Sequence, residues 1–77
     1  MLLKLIWNEE KRLTIQSGVV NVEIYLDDQR RHCLRVEYQN GSKISYLLTD
    51  YTEDGIMQDI CTAYLMNDKG ETIEKIQ

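Results

Sequence analysis

Apolar and polar residues alternate along the first two-thirds of the chain. Leu3, Leu5 and Trp7 sit two apart, followed by Leu13 and Ile15, then by Val20, Val22, Ile24 and Leu26. The same spacing continues through Leu34, Val36 and Tyr38 and through Ile44, Tyr46 and Leu48. A period of two collects each set on one face of a strand. Residues 2–48 are therefore expected to form a five-stranded antiparallel β-meander with one buried face.

The turns must keep these apolar rows in phase, because a slip of one residue moves a whole strand's set to the other face. A two-residue loop at Ser17-Gly18 sets Ile15 opposite Val20 and Leu13 opposite Val22, with Arg12 opposite Glu23 on the other face. A three-residue loop Asp28-Gln29-Arg30 sets Ile24 opposite Leu34, Val22 opposite Val36, Asp27 opposite Arg31 and Glu23 opposite Arg35. At the next connection, Gln39-Asn40-Gly41 with a left-handed glycine sets Val36 opposite Ile44, Leu34 opposite Tyr46 and Glu37 opposite Lys43. Registers chosen by apolar phase thus also place opposite charges across neighbouring strands, each favourable pair contributing roughly 0.2 to 1 kcal/mol.

After Leu48 the period changes. Ile56, Met57, Ile60, Cys61, Tyr64 and Leu65 recur at the four-residue spacing of one helix stripe. Asp50 and Glu53 resemble a capping box, with Thr52 as a competing cap. The expected architecture is thus α+β, with a C-terminal helix over about residues 51–66 packed on the sheet and a tail over 71–77. Gly55 sits poorly in such a helix, at a cost of about 1 kcal/mol against alanine. The alternative is an all-β chain in which Asn67-Asp68-Lys69-Gly70 is a hairpin turn and Cys61 to Met66 and Glu71 to Ile76 are strands.

With 77 residues there is room for one small domain spanning 1–77. Hydrophobic residues make up 43% of the chain, which suits a folded protein rather than a disordered one. No segment reads as a membrane span or a secretory leader, so a cytoplasmic protein is expected. Cys33, Cys61 and the single His32 are too few for a structural zinc site, and the two thiols are expected to be free.

The chemistry of catalysis is sparse. His32 and Cys33 are adjacent, but consecutive strand residues point to opposite faces, so they form no thiolate-imidazolium couple. The acidic pairs Glu9-Glu10, Asp27-Asp28 and Glu53-Asp54 fall beside turns or the expected helix start. No glycine-rich phosphate loop occurs. No catalytic residue, metal or cofactor is assigned, and the chain reads as a non-enzyme that acts by binding.

Charge then selects the surfaces. Residues 1–49 carry seven basic and six acidic side chains, net +1, whereas residues 50–77 carry two basic and seven acidic, net −5. Asp50, Glu53, Asp54 and Asp59 on the expected helix would form an acidic face that seeks a basic surface on another protein. Such a compact chain without catalytic parts suits a small accessory or inhibitor protein of bacterial or phage type. The alternative is single-strand nucleic-acid binding through Tyr25, Arg31 and Arg35 on the outer sheet face, opposed by the interleaved Glu23 and Glu37 and by the net charge of −4. Leu2 and Ile6 lie together on the outer face of a terminal strand that has no proline to guard it, and are the candidate contacts of a homodimer.

Overall fold

The computed structural model describes residues 1–77, and every regular element in it is a β-strand. In chain order these are β1 (Leu2–Trp7), β2 (Arg12–Gln16), β3 (Val19–Leu26), β4 (His32–Tyr38), β5 (Lys43–Leu47), β6 (Thr49–Tyr51), β7 (Met57–Asp59), β8 (Cys61–Met66) and β9 (Thr72–Lys75). One sheet runs β2-β1-β8-β9, a second runs β3-β4-β5, and β6-β7 forms a small two-stranded hairpin.

The second sheet follows the apolar phase. Across β3 and β4, Val22 pairs with Val36, Ile24 with Leu34 and Glu23 with Arg35. Across β4 and β5, Val36 pairs with Ile44, Leu34 with Tyr46 and Glu37 with Lys43. The β4-β5 turn carries Gly41 at φ 85°, with its N–H donated to the Tyr38 carbonyl, and the left-handed residue after β3 is Arg30 at φ 62°.

The expected hairpin at Ser17-Gly18 does not form. Instead β2 folds back on β1, with Leu3 opposite Gln16, Leu5 opposite Thr14 and Trp7 opposite Arg12. Ser17-Gly18 becomes the passage between sheets: the Gly18 carbonyl accepts from Gln39 N–H at 2.8 Å, and Val19 exchanges both backbone bonds with Met1. Val19 therefore sits in the core rather than on the outer face, and a bulge between Val19 and Asn21 restores the phase of β3. Arg12 consequently does not face Glu23.

The C-terminal helix is absent, so the fold is all-β rather than α+β. Residues 49–59 make the β6-β7 hairpin, closed by Gly55 at φ 78°, a left-handed backbone that no helix interior takes. Cys61, Ala63 and Leu65 alternate into the core on β8, while Ile56 and Met57 of the supposed stripe are exposed. Asn67 to Gly70 is the hairpin turn of the all-β alternative. The Asn67 side chain accepts from the N–H groups of Lys69 and Glu71, and the tail becomes β9.

The inner faces of the two large sheets meet in a core of Leu3, Leu5, Val19, Leu34, Val36, Leu48, Cys61, Ala63 and Leu65. Two corners stitch the sheets together. One is the Met1-Val19 bridge; the other is Leu48, whose N–H donates to the His32 carbonyl while its own carbonyl accepts from Ile60 and Cys61. Over the core edge, Trp7 meets Tyr46 edge-on at 6.2 Å. Gln16 lies between Tyr38 and Tyr46, its Nε2 donating to the Tyr46 hydroxyl at 2.8 Å while its Oε1 accepts from the Tyr38 hydroxyl.

Candidate protein-interaction site

The β6-β7 hairpin carries the acidic residues that a helix was expected to present. Asp50 lies on β6 opposite Gln58, and Asp59 lies on β7 opposite Thr49. Glu53 and Asp54 are exposed at the tip, where the Thr52 hydroxyl accepts from Ile56 N–H and the Thr52 carbonyl from Gly55 N–H. The four acids thus share one element but not one face. Asp59 is held at the far end, its side chain accepting from Gln77 and its carbonyl from Asn8.

Beside the hairpin lies a cleft of about 300 Å³, lined by Trp7, Glu9, Glu10, Asp50, Tyr51, Gln58 and Ile60. The β1-β2 turn supplies Glu9 and Glu10, β1 ends in Trp7, and β6 supplies Asp50 and Tyr51. Three carboxylates and two aromatic rings therefore line one concavity, and no Lys or Arg does. The surrounding groups are fixed. Tyr51 donates its hydroxyl to the Gln29 carbonyl at 2.8 Å, and Asp50 accepts from its neighbour's N–H and from Arg31 at 3.3 Å. Trp7 already receives one cation: the Arg12 guanidinium stands 4.2 Å over its ring and pairs with Glu10 at 3.0 Å.

Sequence reasoning singled out Asp50 but missed Trp7, Glu9, Glu10, Tyr51 and Gln58 as its neighbours. The acidic pair at 9–10 follows Trp7 after one residue, Asn8, and was legible as lying beside a turn. Its meeting with Asp50 depends on the Leu48 corner, which bends β6 away from the second sheet.

The outer face of that second sheet is self-neutralised. Arg35 pairs with Glu23 at 2.5 Å and stacks on Tyr25 at 4.5 Å. Arg31 bonds Asp27 at 2.8 Å and reaches Asp50. The Asp27 side chain also accepts from the N–H groups of Arg31 and Gln29, and the Arg31 backbone bond leads in holding its carboxyl below the usual value. The arginines and the tyrosine expected to contact nucleic acid are thus bonded to carboxylates and to one another.

His32 and Cys33 occupy consecutive positions on β4, and Cys33 and Cys61 are free thiols in the interior. Burial pushes the Cys61 thiol up, away from reactivity. No group of three metal-capable side chains comes together. Leu2 and Ile6 are half-buried on the outer face of β1, where Ile6 lies opposite the exposed Leu13. No element of the fold is a helix long and apolar enough to cross a membrane. Comparison with known proteins finds no matching family model, no similar curated protein and no similar solved structure.

Proposed function

We propose that the protein works by binding, taking a basic segment of another protein in the cleft between the β1-β2 turn and the β6-β7 hairpin. The observation that carries this reading is the lining of that cleft: Glu9, Glu10 and Asp50 around Trp7 and Tyr51, which already draw Arg12 onto Glu10 and Trp7 and Arg31 onto Asp50 from its margins. Carboxylates draw a lysine or arginine by charge, and an aromatic face adds roughly 0.5–1 kcal/mol at an exposed site and more when desolvated. Arg12 on Trp7 is the same contact made within the chain. Glu53 and Asp54 at the hairpin tip extend the negative field and steer the approach of the partner. Such an activity suits a small accessory or inhibitor protein, and two unpaired thiols suit a reducing, cytoplasmic setting.

Trp7 is the only tryptophan, so its fluorescence reports on the cleft directly. Titration with an arginine- and lysine-rich peptide is expected to give a saturable, salt-sensitive change. Glu9→Lys combined with Glu53→Lys and Asp54→Lys should weaken it at least tenfold, about 1.4 kcal/mol. An unmutated protein whose Trp7 signal ignores the peptide at low salt, or reversed charges that leave affinity intact, refutes the reading.

A further inference from the structure

The outer edge of β2 is built to pair with another strand. Asn8 N–H donates to the Ile60 carbonyl at 3.0 Å, which sets the phase of the β1-β8 ladder. Even-numbered residues of β1 turn their backbone groups to β8, and odd-numbered ones turn theirs to β2. Leu3, Leu5 and Trp7 therefore bond to Gln16, Thr14 and Arg12. The N–H and C=O groups of Leu13 and Ile15 point the other way, where β2 has no neighbour.

That edge lacks the usual guards. β3 begins with a bulge and carries Glu23 in its middle, β5 opens on Lys43, and β9 carries Glu74 and Lys75 beside a bulge in its ladder. On β2 the one charge is Arg12 at its end, folded back on Trp7 and Glu10. Leu13 and Ile15 are 54% and 56% exposed, and no proline interrupts the strand. A further observation points to the occupant. Thr14 Oγ1 is buried without a hydrogen-bond partner, on a strand whose next neighbour is missing.

We infer that β2 pairs antiparallel with β2 of a second copy, about a two-fold axis through Thr14. In this register Leu13 exchanges backbone bonds with the partner's Ile15, and Ile15 with the partner's Leu13, which uses every outward backbone group of the two residues. Thr14 then stands directly opposite the partner's Thr14 in a non-hydrogen-bonded pair, the closer kind. There a change of side-chain rotamer turns the two Thr14 hydroxyls, each without a partner within its own chain, out of the sheet's inner surface and onto one another. Leu13 and Ile15 cover one another across the seam, and the two four-stranded sheets become one continuous sheet.

Sedimentation equilibrium of the full chain between about 1 and 100 µM should show a reversible dimer. Amides of Leu13 and Ile15 should be protected from hydrogen exchange in the dimer and exchange freely on dilution. Ile15→Pro removes one outward N–H without touching the β1 ladder, and should lower association at least tenfold while the β-type circular dichroism and cooperative melting persist. Ile6→Lys, one strand inside the seam, should leave the dimer intact. A chain that stays monomeric up to about 100 µM overturns the proposal, and so does a folded Ile15→Pro variant that still dimerises. If that variant does not fold, exchange decides: unprotected Leu13 and Ile15 amides in a dimeric sample overturn the edge pairing.

Discussion

Tyr38 shows how a single hydroxyl is tuned by its place. Its O–H donates to Gln16 Oε1 and lies 3.3 Å from the Tyr46 hydroxyl. Burial first, and the Tyr46 bond second, push its ionisation far above the ordinary value of 10.0. A raised folded-state value favours the neutral form, so the resulting stability is fully present below pH about 10 and is lost as the pH rises beyond it. Melting temperatures between neutral pH and pH about 11 should fall more steeply for the natural chain than for Tyr38→Phe. At neutral pH that variant should be less stable by about 1 kcal/mol, the net worth of one hydrogen bond. The network joins β2 to the second sheet through Gln16, a polar residue in a row where the alternation of Leu13 and Ile15 argued for the opposite face. The sequence signal misled here because β2 turns its apolar residues outward and its polar ones inward, and only an edge strand that meets another surface tolerates that.

At the scale of elements, Val19 and Val20 at the start of β3 take the faces opposite to those expected, and Ile24, Leu26 and Ile44 of the apolar row stay exposed. From Asn21 onward the pairing of β3, β4 and β5, with its turn glycine and its charge pairs, was legible, and Glu23 lies opposite Arg35 as expected. The C-terminal third was not, because Met57, Cys61 and Leu65 satisfy a four-residue spacing while Cys61, Ala63 and Leu65 satisfy a two-residue one. Cysteine and alanine are weak apolar markers, so the second pattern was masked. Gly55 was the informative dissent: a residue costly in a helix is at home at φ 78° in a turn. The β1-β2 hairpin carries the converse misfit. Lys11 holds φ 50° in its turn, a conformation that side chains other than Gly and Asn adopt at a cost. Lys11→Gly should therefore raise stability by about 0.5–1 kcal/mol, read from denaturant midpoints at unchanged m-value. An unchanged or lowered midpoint would count against strain at this turn.

For the whole molecule, Leu48 is the pivot. Its backbone bonds tie β4 to the start of β8, its side chain is fully buried in the shared core, and its bend carries Asp50 and Tyr51 to the cleft. Leu48→Ala should cost about 2–5 kcal/mol, a large part of the stability of so small a core. Because the cleft hangs on the same corner, the Trp7 fluorescence change with a basic peptide should weaken in any folded fraction. A variant that melts like the natural chain would show that the corner carries less than its burial indicates. The acidity of the chain also resolves at this scale. The hairpin, with Asp50, Glu53, Asp54 and Asp59 and no basic residue, carries a charge equal to the net −4, while the β1-β2 turn balances Glu9 and Glu10 with Lys11 and Arg12 and the second sheet neutralises itself pair by pair. The topology has one more consequence, for synthesis. Leu3 of the first strand is registered against Leu65 of the eighth, so the first sheet cannot close until the residues between them and β8 itself have left the ribosome. Contacts so distant in sequence place folding in the slow, millisecond-to-second regime of β proteins. During that wait the early β1-β2 hairpin is exposed to other nascent copies, with the same unguarded strand at its rim.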